Sequence, residues 1–214
     1  MDIIIDLSHP IYDGMPCYPG DPGVRIERVK QIGKDRVNVT EISMGSHTGT
    51  HLDAPSHMIK NGNSLDKTDI SWFCGRAIKI DISRYTEYDL RDFPYDGVII
   101  ETGWWAHFNN PTRYFSNERP SIPTSFAQSL AATGIKFFGC DLPSVDQSGV
   151  QDKIIHLTFL NKNIIIYENL TNLDKIPEGI PFTFIGFPLN IYDIDGSPVR
   201  AVGIKDDPII GDRF

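Results

Sequence analysis

The chain has 214 residues, of which 40% are hydrophobic and 22% are charged, so we expect one globular domain spanning residues 1–214. Its formal net charge of -8 disfavours nucleic-acid binding and docking on anionic lipid, since both need a basic surface. Three widely spaced cysteines do not suggest a disulfide framework, and we recognise no signal peptide and no membrane-spanning run. We therefore expect a cytoplasmic protein.

Nine segments predict β-strands because they are rich in β-branched and apolar residues and are bounded by Gly, Pro, Asn or Asp. The best helix candidate covers residues 123–133, with Pro123 suited to its first turn, Ser121 or Thr124 as its cap, and Gly134 as its end. A second short helix is expected within 65–73. The pattern indicates a strand-rich α/β domain with a mixed sheet and few helices. The predicted strands are residues 3–7, 24–29, 37–44, 77–82, 98–101, 135–140, 164–167, 182–186 and 199–204.

The segment 45–57, GSHTGTHLDAPSH, contains three of the six histidines of the chain and one aspartate. Imidazole and carboxylate are the usual ligands of a catalytic divalent ion such as Zn2+ or Mn2+. A lone histidine is more often structural, but four such groups packed together without a cation would repel or stay unsatisfied. Gly49 and Pro55 disfavour a regular helix, so we expect a tight, irregular loop that aims these side chains at one point. The candidates are His47, His51, Asp53 and His57.

Two further candidates, His156 and Glu168, lie far along the chain. A strand that ends at Glu168 places Ile164, Ile166 and Glu168 on one face. If that face is buried, the carboxylate needs a partner, and a metal ion would serve. The simpler alternative is a strand-end glutamate in water.

These residues resemble the motifs of the cyclase family, which includes bacterial kynurenine formamidases and isatin hydrolases. The central match is HTGTHLDAPSH at residues 47–57, against the family pattern H-x-G-[TA]-H-x-D-x-P-x-H. Supporting matches follow in order along nearly the whole chain. They are DLSHP at 6–10, YPGD at 18–21, TGW at 102–104, GCD at 139–141 with Ser144 and Asp146, and GSPVRA at 196–201.

The resemblance implies a swivelling β/β/α fold, a homodimer or homotetramer, and one or two divalent ions, zinc or manganese, per subunit. Carried over by position, His47, His51 and Asp53 would bind a first metal ion. Asp53 would bridge to a second ion held with His156 and Glu168. Whether both halves of the site belong to one subunit stays open.

Other positions concern the reaction and its substrate. The resemblance makes His57 the proton donor and acceptor, and it makes Tyr18 an aromatic substrate contact where formamidases commonly have tryptophan. Thr50 also departs from the alanine that is frequent in formamidases. Aromatic residues could line the pocket, although core packing or a subunit interface is favoured for Trp72, Phe73 and Trp105. The wall candidates are Tyr18, Trp72, Phe73, Trp104 and Trp105.

We therefore predict an amidohydrolase that converts a small molecule, N-formylkynurenine, to kynurenine and formate by means of a metal-bound hydroxide. A divalent ion lowers the pKa of bound water towards about 7, and imidazole suits proton transfer near that pH. One alternative is opening of a lactone or an isatin-type cyclic amide at the same site. An alternative of another class is a non-catalytic metal- or ligand-binding module. A serine or cysteine triad is disfavoured, because no Gly-x-Ser-x-Gly elbow is present.

Overall fold

A mixed nine-stranded sheet forms the centre of the molecule in the computed structural model, which describes residues 3–205 apart from the side chain of Glu87. Two strands form a separate hairpin, and four short α-helices complete the regular structure. The strands are β1 (Ile4–Asp6), β2 (Arg25–Lys30), β3 (Val39–Ser43), β4 (His51–Asp53), β5 (Cys74–Asp81), β6 (Gly97–Glu101), β7 (Phe137–Cys140), β8 (Ile165–Glu168), β9 (Phe182–Ile185), β10 (Gly196–Pro198) and β11 (Val202–Lys205). The helices are α1 (Ile32–Asp35), α2 (Pro111–Tyr114), α3 (Thr124–Ala131) and α4 (Ile154–Leu160).

The strand order in the large sheet is β1-β11-β9-β5-β6-β7-β8-β4-β10. The four central strands β5 to β8 run parallel, and every other pairing is antiparallel. Parallel strands are usually buried on both faces, which agrees with the fully buried β7 and β8. The predicted α/β class, with a mixed sheet and few helices, is confirmed.

Hydrophobic residues cover both faces of the sheet. One face packs against α3 and α4, where Phe138 of β7 stacks on Phe159 of α4 with ring centroids 4.6 Å apart. On the other face Phe137 of β7 packs against Phe184 of β9 at 5.1 Å. Gly97 makes room for Phe137, since a Cβ atom at position 97 would lie 2.0 Å from the phenyl ring. The sheet is therefore a buried, closely packed platform.

The hairpin of β2 and β3 contrasts with this platform. Its strands pair antiparallel with Arg25 opposite Ser43, and no residue from 25 to 43 is buried. Apart from the partly buried Ile26, its large apolar side chains are between 40% and 63% exposed. These side chains are Val29, Ile32, Val37, Val39 and Ile42.

The nine predicted strands all occur, with ends shifted by up to three residues, and the predicted helix occurs as α3. Its cap is Pro123 and not Ser121 or Thr124, and no side chain caps it. The region 65–73 forms two 3-10 turns, Leu65–Lys67 and Ile70–Phe73. Within residues 3–205 no helix has the length and apolar character needed to cross a membrane.

Candidate metal centre

β4 is the element that places the first ligands. The expectation of an irregular loop is wrong for residues 51–53, which form a short buried strand between β8 and β10. Because side chains alternate along a strand, His51 and Asp53 share one face while Leu52 points into the core behind them. His51 stands directly opposite Glu168 of β8. Two residues that are 117 positions apart thus become cross-strand neighbours.

The segments that flank β4 do have the predicted irregular geometry. Gly49 has φ +60°, a conformation that glycine adopts at little cost, and the turn brings His47 towards Asp53. Ala54 is extended before Pro55, as expected, and a 3-10 turn then presents His57. The rings of His47 and His57 lie 4.0 Å apart between centroids.

His156 comes from α4, a helix that the sequence reasoning did not predict. The carboxylate of Asp146 accepts hydrogen bonds from the backbone N–H groups of Ile155 and His156 at 3.0 and 3.1 Å. The same carboxylate lies 2.6 Å from Nδ1 of His156. Asp146 therefore holds the first turn of the helix and also the orientation of the imidazole ring.

The ring orientations leave two Nε2 atoms facing the carboxylates. Nδ1 of His51 lies 2.8 Å from the carbonyl oxygen of Gly49, and Nδ1 of His156 faces Asp146. Nδ1 is the donor in each contact because a carbonyl or carboxylate can only accept, so the Nε2 lone pairs remain available. Both rings are thus oriented as metal ligands usually are.

The distances at the centre match ligands around a shared cation. Nε2 of His51 lies 3.4 Å from Asp53 Oδ1 and 3.6 Å from Glu168 Oε2. Nε2 of His156 lies 3.6 Å from Asp53 Oδ2 and 3.4 Å from Glu168 Oε1. These separations exceed those of charge-assisted hydrogen bonds. Two ligands about 2.1 Å from a tetrahedral zinc ion lie about 3.4 Å apart.

Asp53 gives an independent test of fit. Its Oδ2 atom is buried and has no hydrogen-bond partner among the described residues, a costly condition for a carboxylate oxygen. Two overlapping groups of potential ligand atoms meet at this residue. They are His47, Asp53 and His57, and His51, Asp53 and Glu168. The donor set therefore fits a divalent cation, with Asp53 common to both groups.

The pKa values show that the carboxylates of the cluster stabilise positive charge on the neighbouring histidines. Burial lowers the pKa of His47, but Asp53 and Asp195 raise it to about 9. Burial also lowers the pKa of His156, but Asp146 and Glu168 raise it to about 10. Burial raises the pKa of Asp53, yet His47 and its neighbours hold it well below its ordinary value. Without a cation the histidine protons supply this positive charge, and a bound metal ion would replace them.

A cavity of about 170 Å³ opens over the cluster. Tyr18 lines it as predicted, with its hydroxyl 3.2 Å from Ser148 Oγ and its ring edge-on to Phe115. Phe108 and Phe115, which the sequence reasoning did not single out, also line the cavity. The other wall candidates do not line it. Phe73 and Trp104 are core residues, and Trp72 and Trp105 are half-buried elsewhere.

Two histidines remain outside the cluster. His9 stacks on Phe108 with centroids 3.7 Å apart, and burial lowers its pKa to about 4. His107 packs edge-on against Trp104. The hydroxyl of Thr50 accepts a hydrogen bond from the backbone of His9 and donates one to the backbone of Asn169. Thr50 thus ties together the two segments beside the site.

Three polar residues at the site were missed by sequence reasoning. Asp195 Oδ2 lies 3.1 Å from Nε2 of His47 and 3.6 Å from Nδ1 of His57. Asn169 lies 3.4 Å from Nδ1 of His51, and Lys153 lines the cavity. Asn169 directly follows the ligand candidate Glu168, so its position in the sequence could have indicated that it lies near the site. Asp195 could be found only from the pairing of β10 with β4.

The chain is similar to known proteins in sequence and in fold. The Cyclase family model matches residues 5–147. A kynurenine formamidase of Bacillus mycoides (strain KBAB4) is 33% identical over 205 residues, covering 92% of this chain and 95% of that protein. Isatin hydrolase A from Ralstonia solanacearum has a similar fold, with TM-score 0.81, 21% identity, and 95% and 92% of the two chains covered. A protein of Bacillus stearothermophilus described as a predicted metal-dependent hydrolase has TM-score 0.74 and 26% identity, with 94% and 97% of the two chains covered.

Proposed function

The chain belongs to the cyclase family and is an amidohydrolase, and from this premise we propose that it removes the formyl group of an aryl formamide such as N-formylkynurenine. The observation that carries the proposal is the convergence of two Nε2 atoms and two carboxylates beneath a cavity with an aromatic wall. The kynurenine formamidase relative spans nearly the whole chain, which disfavours a non-catalytic binding module.

The metal assignment is part of this proposal. Following the family resemblance, His47, His51 and Asp53 would hold one divalent ion, and Asp53, His156 and Glu168 would hold a second; the ion is Zn2+ or Mn2+. This division differs from the two groups of neighbouring ligand atoms, in which His47 lies with His57 and His51 lies with Glu168. When bound, such an ion supplies Lewis-acid activation of a water molecule and of the formyl carbonyl. All five proposed ligands come from one chain.

Proton transfer and binding of the aryl ring are assigned to other side chains of the chain. His57 stands beside His47 and lines the cavity, so it takes a proton from the attacking water and delivers it to the leaving aniline nitrogen. The water oxygen bonds to the formyl carbon, the carbon–nitrogen bond breaks, and formate leaves. Tyr18, Phe108 and Phe115 offer an aromatic wall for the aryl ring.

The test is turnover of N-formylkynurenine by protein reloaded separately with Zn2+ and Mn2+, followed by the absorbance of released kynurenine. Turnover that a chelator abolishes and that His57→Gln strongly reduces would support the proposal. Bound metal without turnover of N-formylkynurenine would contradict it. In that case hydrolysis of isatin or of a lactone would identify the second candidate, and inertness towards all of them would leave a binding module.

We also propose that the chain forms a homodimer through the hairpin defined by residues 25–43. The hairpin has five basic residues against three acidic ones, a net charge of +2 within a chain of net charge -8. A second copy of the chain therefore offers a complementary acidic surface, and the exposed apolar side chains of the hairpin favour burial against it.

Sedimentation and light scattering of Ile32→Glu test this interface. Ile32, in the connection between the two strands, is 63% exposed, so the variant should fold normally and become monomeric. Ile180→Glu is the matched control, because Ile180 is 56% exposed and lies outside the hairpin. A dimeric Ile32→Glu protein would exclude the hairpin as the interface, and a monomeric wild type would exclude the dimer.

A further inference from the structure

The cavity over the cluster contains one positive side chain that the reaction itself does not use. Lys153 is the only lysine or arginine among the described residues that line the cavity, whereas three carboxylates line it. These carboxylates are Asp21, Asp53 and Glu168. Bound metal ions would neutralise Asp53 and Glu168, so away from the metal centre a carboxylate on the substrate would meet Asp21 and the net charge of -8, and Lys153 is the side chain that can compensate them there.

Lys153 is held at this place by the backbone. It has φ 44° and ψ 44°, a left-handed conformation that residues with a side chain rarely adopt. The conformation persists because the carbonyl of Lys153 accepts a hydrogen bond from Leu157 and Asp146 fixes the next turn. The helix start that orients His156 therefore also fixes the origin of the lysine side chain.

The ammonium group of Lys153 is available to a ligand. The residue is half-buried, and its side chain has no hydrogen bond or ion pair with any part of the chain that the structure describes. A partly desolvated lysine without a carboxylate partner is poorly stabilised by the fold alone. A carboxylate brought by a substrate would provide the missing partner.

We propose that Lys153 recognises a carboxylate group on the substrate and so selects aryl formamides that bear an amino-acid side chain over neutral ones. The proposal rests on the proposed function, because it concerns a carboxylate carried by the aryl formamide that this function takes as its substrate. N-formylkynurenine carries such an α-carboxylate, whereas isatin does not. Lys153 is thus a specificity residue that contacts the part of the substrate where no bond changes.

Steady-state kinetics of the metal-loaded enzyme on two formamides tests the proposal. One is N-formylkynurenine, and the other is ortho-formamidoacetophenone, which has the same aryl formamide and ketone but no amino-acid group. Lys153→Met should raise KM for N-formylkynurenine about 10- to 100-fold, the range of one charged hydrogen bond, with little change in kcat. KM for the neutral formamide should stay within about twofold, on the same reasoning that no charged contact is lost.

Two further variants make the result specific. Lys153→Arg keeps the charge and should restore most of the affinity. Lys162→Met removes the same charge from an exposed position just after the same helix, outside the cavity lining, and should behave as wild type. Equal effects of Lys153→Met on both formamides, or no effect on either, would overturn the proposal.

A binding measurement separates this proposal from the formamidase assignment. Calorimetry with kynurenine and ortho-aminoacetophenone needs no turnover. Wild-type protein should bind kynurenine more tightly, and Lys153→Met should abolish that preference. An absent preference in wild type would overturn the role of Lys153. A preference that depends on Lys153, in an enzyme that turns over neither formamide, would support the carboxylate site and reject the formamidase proposal.

Discussion

The floor and the rim of the cavity are built in different ways. The floor consists of His51, Asp53, His156 and Glu168, each at most 4% exposed and each located on a strand or a helix of the central layers. The rim consists of His47, His57, Tyr18 and Lys153, which are partly exposed and lie on loops, on a 3-10 turn or at a helix start.

The difference indicates which properties each region can control. Floor side chains are fixed by strand register and by a helix held at its first turn, so their spacing matches a metal ion before one binds. Rim side chains depend on local turns and keep contact with solvent, which suits proton transfer and substrate selection. We expect floor substitutions to change metal binding, and we expect rim substitutions to change catalytic constants, except at His47, which is itself a proposed metal ligand.

The largest effect is expected for Asp53→Ala in the floor. Asp53 belongs to both groups of ligand atoms, so its loss should remove bound metal and lower kcat/KM by about 10³-fold or more. Metal content after dialysis, measured by mass spectrometry, checks the prediction. Asp174→Ala, at an exposed position, is the control. Full metal occupancy in Asp53→Ala would show that the ligand set is wrong.

The next effect is expected for His57→Gln in the rim. The variant should lose about 10²- to 10⁴-fold in kcat, the usual contribution of a general acid–base group, while it keeps its metal. Metal content and turnover measured on the same preparation check both parts. Unchanged turnover would show that His57 takes no part in the reaction. Loss of metal would show that His57 is a metal ligand.

A smaller effect is expected for Asp146→Asn, behind the floor. Asparagine retains an oxygen for the helix N–H groups but loses the charge that faces Nδ1 of His156. Metal affinity should fall about 10- to 100-fold, the usual cost of losing such a partner. Competition with a chelator measures the affinity, and an unchanged melting temperature confirms that the helix start is intact. Unaltered affinity would show that strand register alone orients the ligands.

The smallest effect is expected for Asp195→Asn, behind the rim. Asp195 faces Nε2 of His47, whereas Asp146 faces Nδ1 of His156, and the Asp195 contact is longer, at 3.1 Å, with its side chain 46% exposed. Solvent weakens such a contact, so affinity and kcat should each change less than about tenfold. The two aspartates form a matched pair. A larger loss of metal affinity in Asp195→Asn than in Asp146→Asn would contradict the expectation that contacts behind the floor matter more for metal binding than contacts behind the rim.

Composition and periodicity predicted nine of the eleven described strands, because these segments are rich in β-branched and apolar residues both in the buried sheet and in the exposed hairpin. They did not predict β4 and β10, which are three residues long and contain ligands, glycine and proline instead of a strand pattern. Helix α4 was also missed, because IIHLTFL is apolar at almost every position and has no helical period.

The site likewise contains residues that local sequence could group and residues that only the fold brings together. His47, His51, Asp53 and His57 are close in sequence, so residue type and spacing sufficed to group them. Joining His156 and Glu168 to them relied on family resemblance, since strand pairing and helix packing create that proximity. Asp195 and Lys153 had no local signature. Their importance depends on neighbours that only the folded chain supplies.

The register of β4 has a consequence for how this chain can change. His51 and Asp53 face the cavity only because one residue separates them and because His51 stands opposite Glu168. One residue inserted between them would turn one of them into the hydrophobic layer behind the sheet. Segment length is therefore under tighter constraint here than residue identity, whereas the exposed hairpin of residues 25–43 can lengthen or shorten without altering that register.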